Sequence, residues 1–167
     1  LHGGIALALL LATNAGIGAM NSSGDASEHY LLGVAFANKG MKTNALRAYR
    51  RAVELEPDHE DGLGGLAALS GQLGRREDAM GLWGQLLAHY PDRDDIRLKL
   101  ADLLLLKAKF PRSIELYRDM LQRHPDWAAL HGRLAYTYAM AGSPEEAETA
   151  YRKTLELRPD SLLVHYQ

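Results

Sequence analysis

The chain has 167 residues, with 19 basic and 21 acidic side chains and a formal net charge of −2. At 47% apolar and 24% charged it has a folding composition, and its near-neutral balance gives no bulk field for a polyanion, so no nucleic-acid partner is expected. Cysteine is absent, which excludes disulfides, thiolate metal sites and a thiol nucleophile.

Residues 1–25 form the first element. Residues 1–24 contain no Lys, Arg, Asp or Glu, and Asp25 is the first charge. The apolar run Ile5 to Ala12 is eight residues, against the roughly 20 that span a bilayer as a helix; adding the Gly, Thr and Asn residues up to Met20 makes a marginal span. No basic flank marks it as an export signal. Such a run is costly in water, so we expect an anchor or assembly element. It would be covered by a membrane, by its own fold or by a neighbouring copy. Membrane-associated or exported placement is favoured over a cytoplasmic one, and Asn21-Ser22-Ser23 would be a glycosylation acceptor in that setting. The chain opens at Leu1 rather than Met, which suggests that something upstream is missing or was processed away.

The remainder is periodic. Pro57, Pro91, Pro125 and Pro159 stand 34 residues apart, each followed by Asp (58, 92, 126 and 160). That interval divides the chain into units 26–59, 60–93, 94–127 and 128–161, with 162–167 beginning a fifth. Other columns fall into line: Leu32, Leu66, Leu100 and Leu134, then small Gly33, Ala67, Ala101 and Ala135. A turn position follows at Gly40, Gly74, Ala108 and Gly142. A second small column is Ala45, Ala79, Ser113 and Ala147, with an aromatic four residues later at Tyr49, Trp83, Tyr117 and Tyr151. Within each half-unit the apolar residues recur at helical spacing, and the turn position separates two helices.

These columns and their period resemble the tetratricopeptide repeat (TPR) family, over residues 26–161. The resemblance implies an all-α, right-handed α-solenoid of about four 34-residue helix–turn–helix repeats plus a partial fifth. The family's early Trp column departs, holding His29, Leu63, Arg97 and His131; His29 and His131, with His165 in the same place, are expected to be half-buried packing histidines. Local signals predict Ser143 and Glu146 as a capping box around Pro144, Pro111 opening a helix, and the Asp of each Pro-Asp pair capping the helix that follows. Tyr151 is expected to be a buried aromatic. Seven glycines in 60–93 predict close helix packing, with a flexible joint as the competing reading. The abrupt stop at Gln167 suggests a fragment of a longer array, or an end that pairs with another chain.

No catalytic constellation is visible, no metal-ligand spacing links the histidines, and no cofactor is expected. The resemblance implies that first helices line a concave groove. Its contact positions here are Tyr30, Val34 and Asn38, then Gln72, then Leu98, Asp102, Leu105 and Leu106, and finally Tyr136 and Met140. The family's basic clamp for a chaperone's C-terminal carboxylate is not matched: its places hold Tyr30, Val34, Gly65 and Asp95, with only Lys99 basic. The expected function is a non-catalytic scaffold holding a protein or peptide with an apolar or amphipathic segment. Two alternatives are carried: a self-assembling filament subunit or homo-oligomer joined through its ends, and the adaptor region of a larger enzyme.

Overall fold

The computed structural model describes residues 25–159, so the lead segment and the start of a fifth repeat lie outside the described residues. The chain divides after Pro91 into two compact units. In the first, α1 (Ala26–Asn38), α2 (Lys42–Leu55), α3 (Glu60–Gln72) and α4 (Arg76–His89) pack in succession, and α1 also touches α3. In the second, α5 (Asp94–Leu106), α6 (Phe110–Arg123), α7 (Ala128–Met140) and α8 (Pro144–Leu157) pack in succession. The described residues are thus all-α, built of helix–turn–helix pairs of the α-solenoid class.

Each helix pair turns on one motif. Gly40 (φ 72°) lets the Met41 amide donate to Phe36 O and its own amide donate to Ala37 O, both at 2.9 Å. This pair of hydrogen bonds satisfies carbonyls that the end of α1 would leave bare, and it requires a left-handed residue. Gly74 and Gly142 repeat it, with Arg75 N to Ser70 O and Ser143 N to Tyr138 O. At the third turn the same bonds form around Ala108 (φ 54°), the one non-glycine residue among those described to hold positive φ.

The small and aromatic columns form the cores. Ala45, Ala79 and Ser113 are fully buried, and the Ser113 hydroxyl donates to Ala101 O at 2.9 Å. In the first unit Tyr49 lies with Phe36, Leu46, Leu66 and Leu69. Its ring fills the space that side chains at Gly33 and Gly65 would take, since a Cβ there would stand 2.4 Å and 2.9 Å from it. In the second unit Tyr117 and Met120 are fully buried with Ala101, Leu130 and Leu134.

Several local expectations are corrected. Tyr151 is half-buried, so Tyr117 is the fully enclosed aromatic. Ser143 is the N-cap of α8 with Pro144 in the first turn, but its backbone (φ −109°, ψ 75°) is not the extended geometry of a capping serine and its hydroxyl caps nothing. Asp25, with ψ 175°, does cap α1, its carboxylate accepting from Glu28 N at 2.8 Å. The Asp after Pro57, Pro91 and Pro125 is not a cap, because each helix starts one residue later. Pro57-Asp58 and Pro125-Asp126 occupy the centres of turns closed by His59 N to Glu56 O and Trp127 N to His124 O. His59 takes the capping role, its Nδ1 accepting from Gly62 N at 2.9 Å. Pro111 does open α6. Of the glycines in 60–93, close packing holds for Gly62 and Gly65, whereas Gly64, Gly81 and Gly84 face open space.

Candidate interaction face

The first helices of the second unit, α5 and α7, are joined across their shared face by Asp102 and Arg133. Arg133 Nη1 donates to both Asp102 oxygens at 2.6 Å. The Tyr117 phenol donates to Asp102 Oδ1, also at 2.6 Å. Burial, then the Asp102 carboxylate, pushes the Tyr117 pKa well above its ordinary value. One turn beyond Asp102 stands Leu106, and one and two turns beyond Arg133 stand Tyr136 and Met140, since residues three, four and seven apart share a helix face. These three side chains are 66%, 50% and 52% exposed. Leu105 is half-buried beside them.

The remaining groove positions are placed differently. Leu98 packs against the second unit's core, and Tyr30 and Val34 pack against the first unit's core, so they offer a partner little surface. Tyr30 lies 5.9 Å, centroid to centroid, from both Tyr49 and His59. Asn38 and Gln72 are exposed at the last residues of α1 and α3. Within the first unit these positions form no apolar patch.

The column of His29, Leu63, Arg97 and His131 divides. Leu63 is fully buried and His29 is 3% exposed, with neither ring nitrogen bonded among the described residues. His131 is half-buried, its Nε2 2.8 Å from Pro125 O. Arg97 is buried and ion-paired with Asp94 and, at 2.9 Å, with Asp119. Asp94 also meets Arg123 at 2.7 Å and His124 at 2.8 Å, closing a five-residue network. Sequence reading missed this network, although Asp94/Arg97 and Asp119/Arg123 stand at helical pair spacing. A further concavity of about 970 Å³ between α6, α7 and α8 has an apolar floor of Leu121, Leu134 and Tyr138, with Arg118, Glu146 and Lys153 at its walls.

The tetratricopeptide repeat family model matches residues 65–126 and 98–161, and a second model of the same description matches 26–59. The chain belongs to the tetratricopeptide repeat family. Solved TPR structures share the fold. MamA from AMB-1 superposes with a TM-score of 0.75 at 22% identity, over 82% of this chain and 75% of that one. MamA from Desulfovibrio magneticus RS-1 gives 0.71 at 19%, over 82% and 78%. YrrB, described as a TPR protein with an unusual peptide-binding site, gives 0.74 at 17%, over 83% and 72%. No curated protein sequence matches.

In this TPR chain the described residues hold no group of His, Asp or Glu able to bind a metal ion, and no described helix is long and apolar enough to cross a membrane. What the α5–α7 face offers chemically is a side-by-side arrangement of exposed apolar side chains and a fixed guanidinium.

Proposed function

We propose that this chain is a non-catalytic scaffold that holds a protein or peptide partner on the α5–α7 face. The supporting observation is that Leu106, Met140 and Tyr136, the most exposed large apolar side chains among the described residues, are grouped by helical spacing beside the Asp102–Arg133 pair, and grouped rather than scattered apolar exposure marks an interaction site. Such a stripe reads the apolar side of an amphipathic helix, and the peptide-binding site ascribed to YrrB is the same class of use on the same fold. The test is selection from a displayed library of amphipathic helical peptides, followed by titration of selected peptides. Leu106→Glu and Tyr136→Glu should each abolish capture while leaving the helical circular dichroism and melting midpoint unchanged. Capture surviving both would move the partner to another surface, with the concavity between α6 and α8 first in line.

A second reading concerns residues 1–24, whose lack of any charge supports attachment to a membrane or to a neighbouring copy. Light scattering and vesicle co-sedimentation with and without residues 1–24 test it. The same number of subunits and the same absence of lipid binding in both forms would remove both attachments.

A further inference from the structure

The ion pair on the α5–α7 face is layered from the core outward. Tyr117 is fully buried, the Asp102 side chain is 33% exposed and that of Arg133 is 47% exposed. The phenol draws the carboxylate inward, and the guanidinium lies on its solvent side, so the pair presents its positive end to whatever lies on the face. Only Nη1 of Arg133 is engaged by Asp102; Nε and Nη2 donate to no described group. Those two nitrogens form the side edge of the planar fork, the edge whose parallel donors match the two oxygens of a carboxylate. Lys99, three residues before Asp102 on α5, is a second cation on this helix and is ion-paired with Asp95 at 4.0 Å. Moving along α7 from Arg133, Tyr136 lies about 4.5 Å further and Met140 about 10 Å further at the helical rise.

We propose that the Nε–Nη2 edge of Arg133 is an anion anchor for the segment that occupies this face. The segment is an amphipathic helix carrying an internal Asp or Glu one helical turn from an apolar side chain. The acidic group meets Arg133 while the apolar group meets Tyr136, Leu106 and Met140. Asp102 is a positioning residue: held by Tyr117, it fixes the guanidinium so that little side-chain freedom is lost when the ligand's carboxylate binds. The inference rests on the proposed use of the α5–α7 face, and it adds the chemistry of the partner.

The experiment uses the whole chain and two synthetic probes: an acetylated, amidated, fluorescein-labelled amphipathic helical peptide with one Glu a turn from its leucines, and the same peptide with Gln in that place. Fluorescence polarisation should show the Glu peptide binding about tenfold more tightly, the difference expected for a hydrogen bond made to a charged group. Arg133→Gln should bring the two peptides to equal affinity, and Arg133→Lys should restore part of the preference. Asp102→Asn should weaken the preference while preserving binding of the Gln peptide. Leu106→Glu should abolish binding of both. Equal affinity of the two peptides for the unmodified chain, or a preference that survives Arg133→Gln, overturns the anchor. If Leu106→Glu and Tyr136→Glu leave both peptides bound, the face itself is wrong. If they abolish binding but Glu and Gln are not distinguished, only the anchor fails. Binding by neither peptide, or only by one with a free C-terminal carboxylate, overturns the assignment to an internal acidic side chain.

Discussion

The Tyr117 phenol lies 2.6 Å from Asp102 Oδ1, and that hydrogen bond ties the fully buried aromatic of α6 to the exposed face of α5. One side chain therefore serves both the core and the candidate site. Its removal divides into two magnitudes. Tyr117→Ala should cost about 3–5 kcal/mol, the range for truncating a buried aromatic. Tyr117→Phe keeps the packing and loses only the bond to a charged acceptor, about 1.5–3 kcal/mol. Urea titration measures both, and equal losses from the two variants would show that the ring's packing contributes little.

The same residue sets an alkaline limit. Its pKa is raised above the ordinary 10.0, first by burial and then by Asp102. A raised value means that the folded chain holds this proton more tightly than the unfolded chain does. The associated stability is fully present below pH 10 and is lost as the pH climbs from there toward the folded-state value. Thermal midpoints should fall above pH 10, and Tyr117→Phe should flatten that fall. An unchanged slope in the variant would assign the alkaline loss to the other raised tyrosines, Tyr30, Tyr49 and Tyr151.

Ala108 occupies a left-handed position that glycine occupies in the three equivalent turns. A side chain there costs roughly 1–2 kcal/mol. Ala108→Gly should stabilise the chain by about 1 kcal/mol and Gly142→Ala should destabilise it by a similar amount. Matched urea midpoints for Ala108→Gly and the parent would show that the turn carries no such strain.

His29 is 3% exposed, and neither ring nitrogen finds a partner among the described residues. Leu63, the equivalent residue one repeat later, is fully buried and leaves no polar atom unsatisfied. His29→Leu should raise stability by about 1–3 kcal/mol, the desolvation cost of an unbonded polar group. A lower melting midpoint in the variant would show that the ring nitrogens are satisfied.

The glycines separate packing from propensity. Gly65→Ala should destabilise, because the new methyl would stand 2.9 Å from the buried Tyr49 ring. Gly81→Ala and Gly84→Ala meet nothing within 4 Å and should each stabilise by about 0.5–1 kcal/mol through helix propensity alone. Opposite signs in one set of urea titrations confirm the division. A stabilising Gly65→Ala would mean that Tyr49 yields.

The sequence by itself determined the repeat, the helix pairs and the turn column. Those features are fixed by local chemistry: a period of 34, helical spacing of apolar residues, and a left-handed residue where each first helix ends. It also marked Asp102, Leu106, Tyr136 and Met140, since position within a repeat predicts which face a residue takes. Only the tertiary structure decided which of the marked positions remain free. Leu98 and Val34 have the same pattern credentials as Leu106, yet they pack on the cores, because burial depends on the neighbouring helix and not on spacing along one's own. The caps were decided in the same way: Ser143 has the right chemistry for a cap, but its backbone is held outside the extended region. The joining of Asp102 to Arg133, 31 residues apart, needed two helices brought side by side. No single repeat carries that pairing, because it arises from the geometry of stacking.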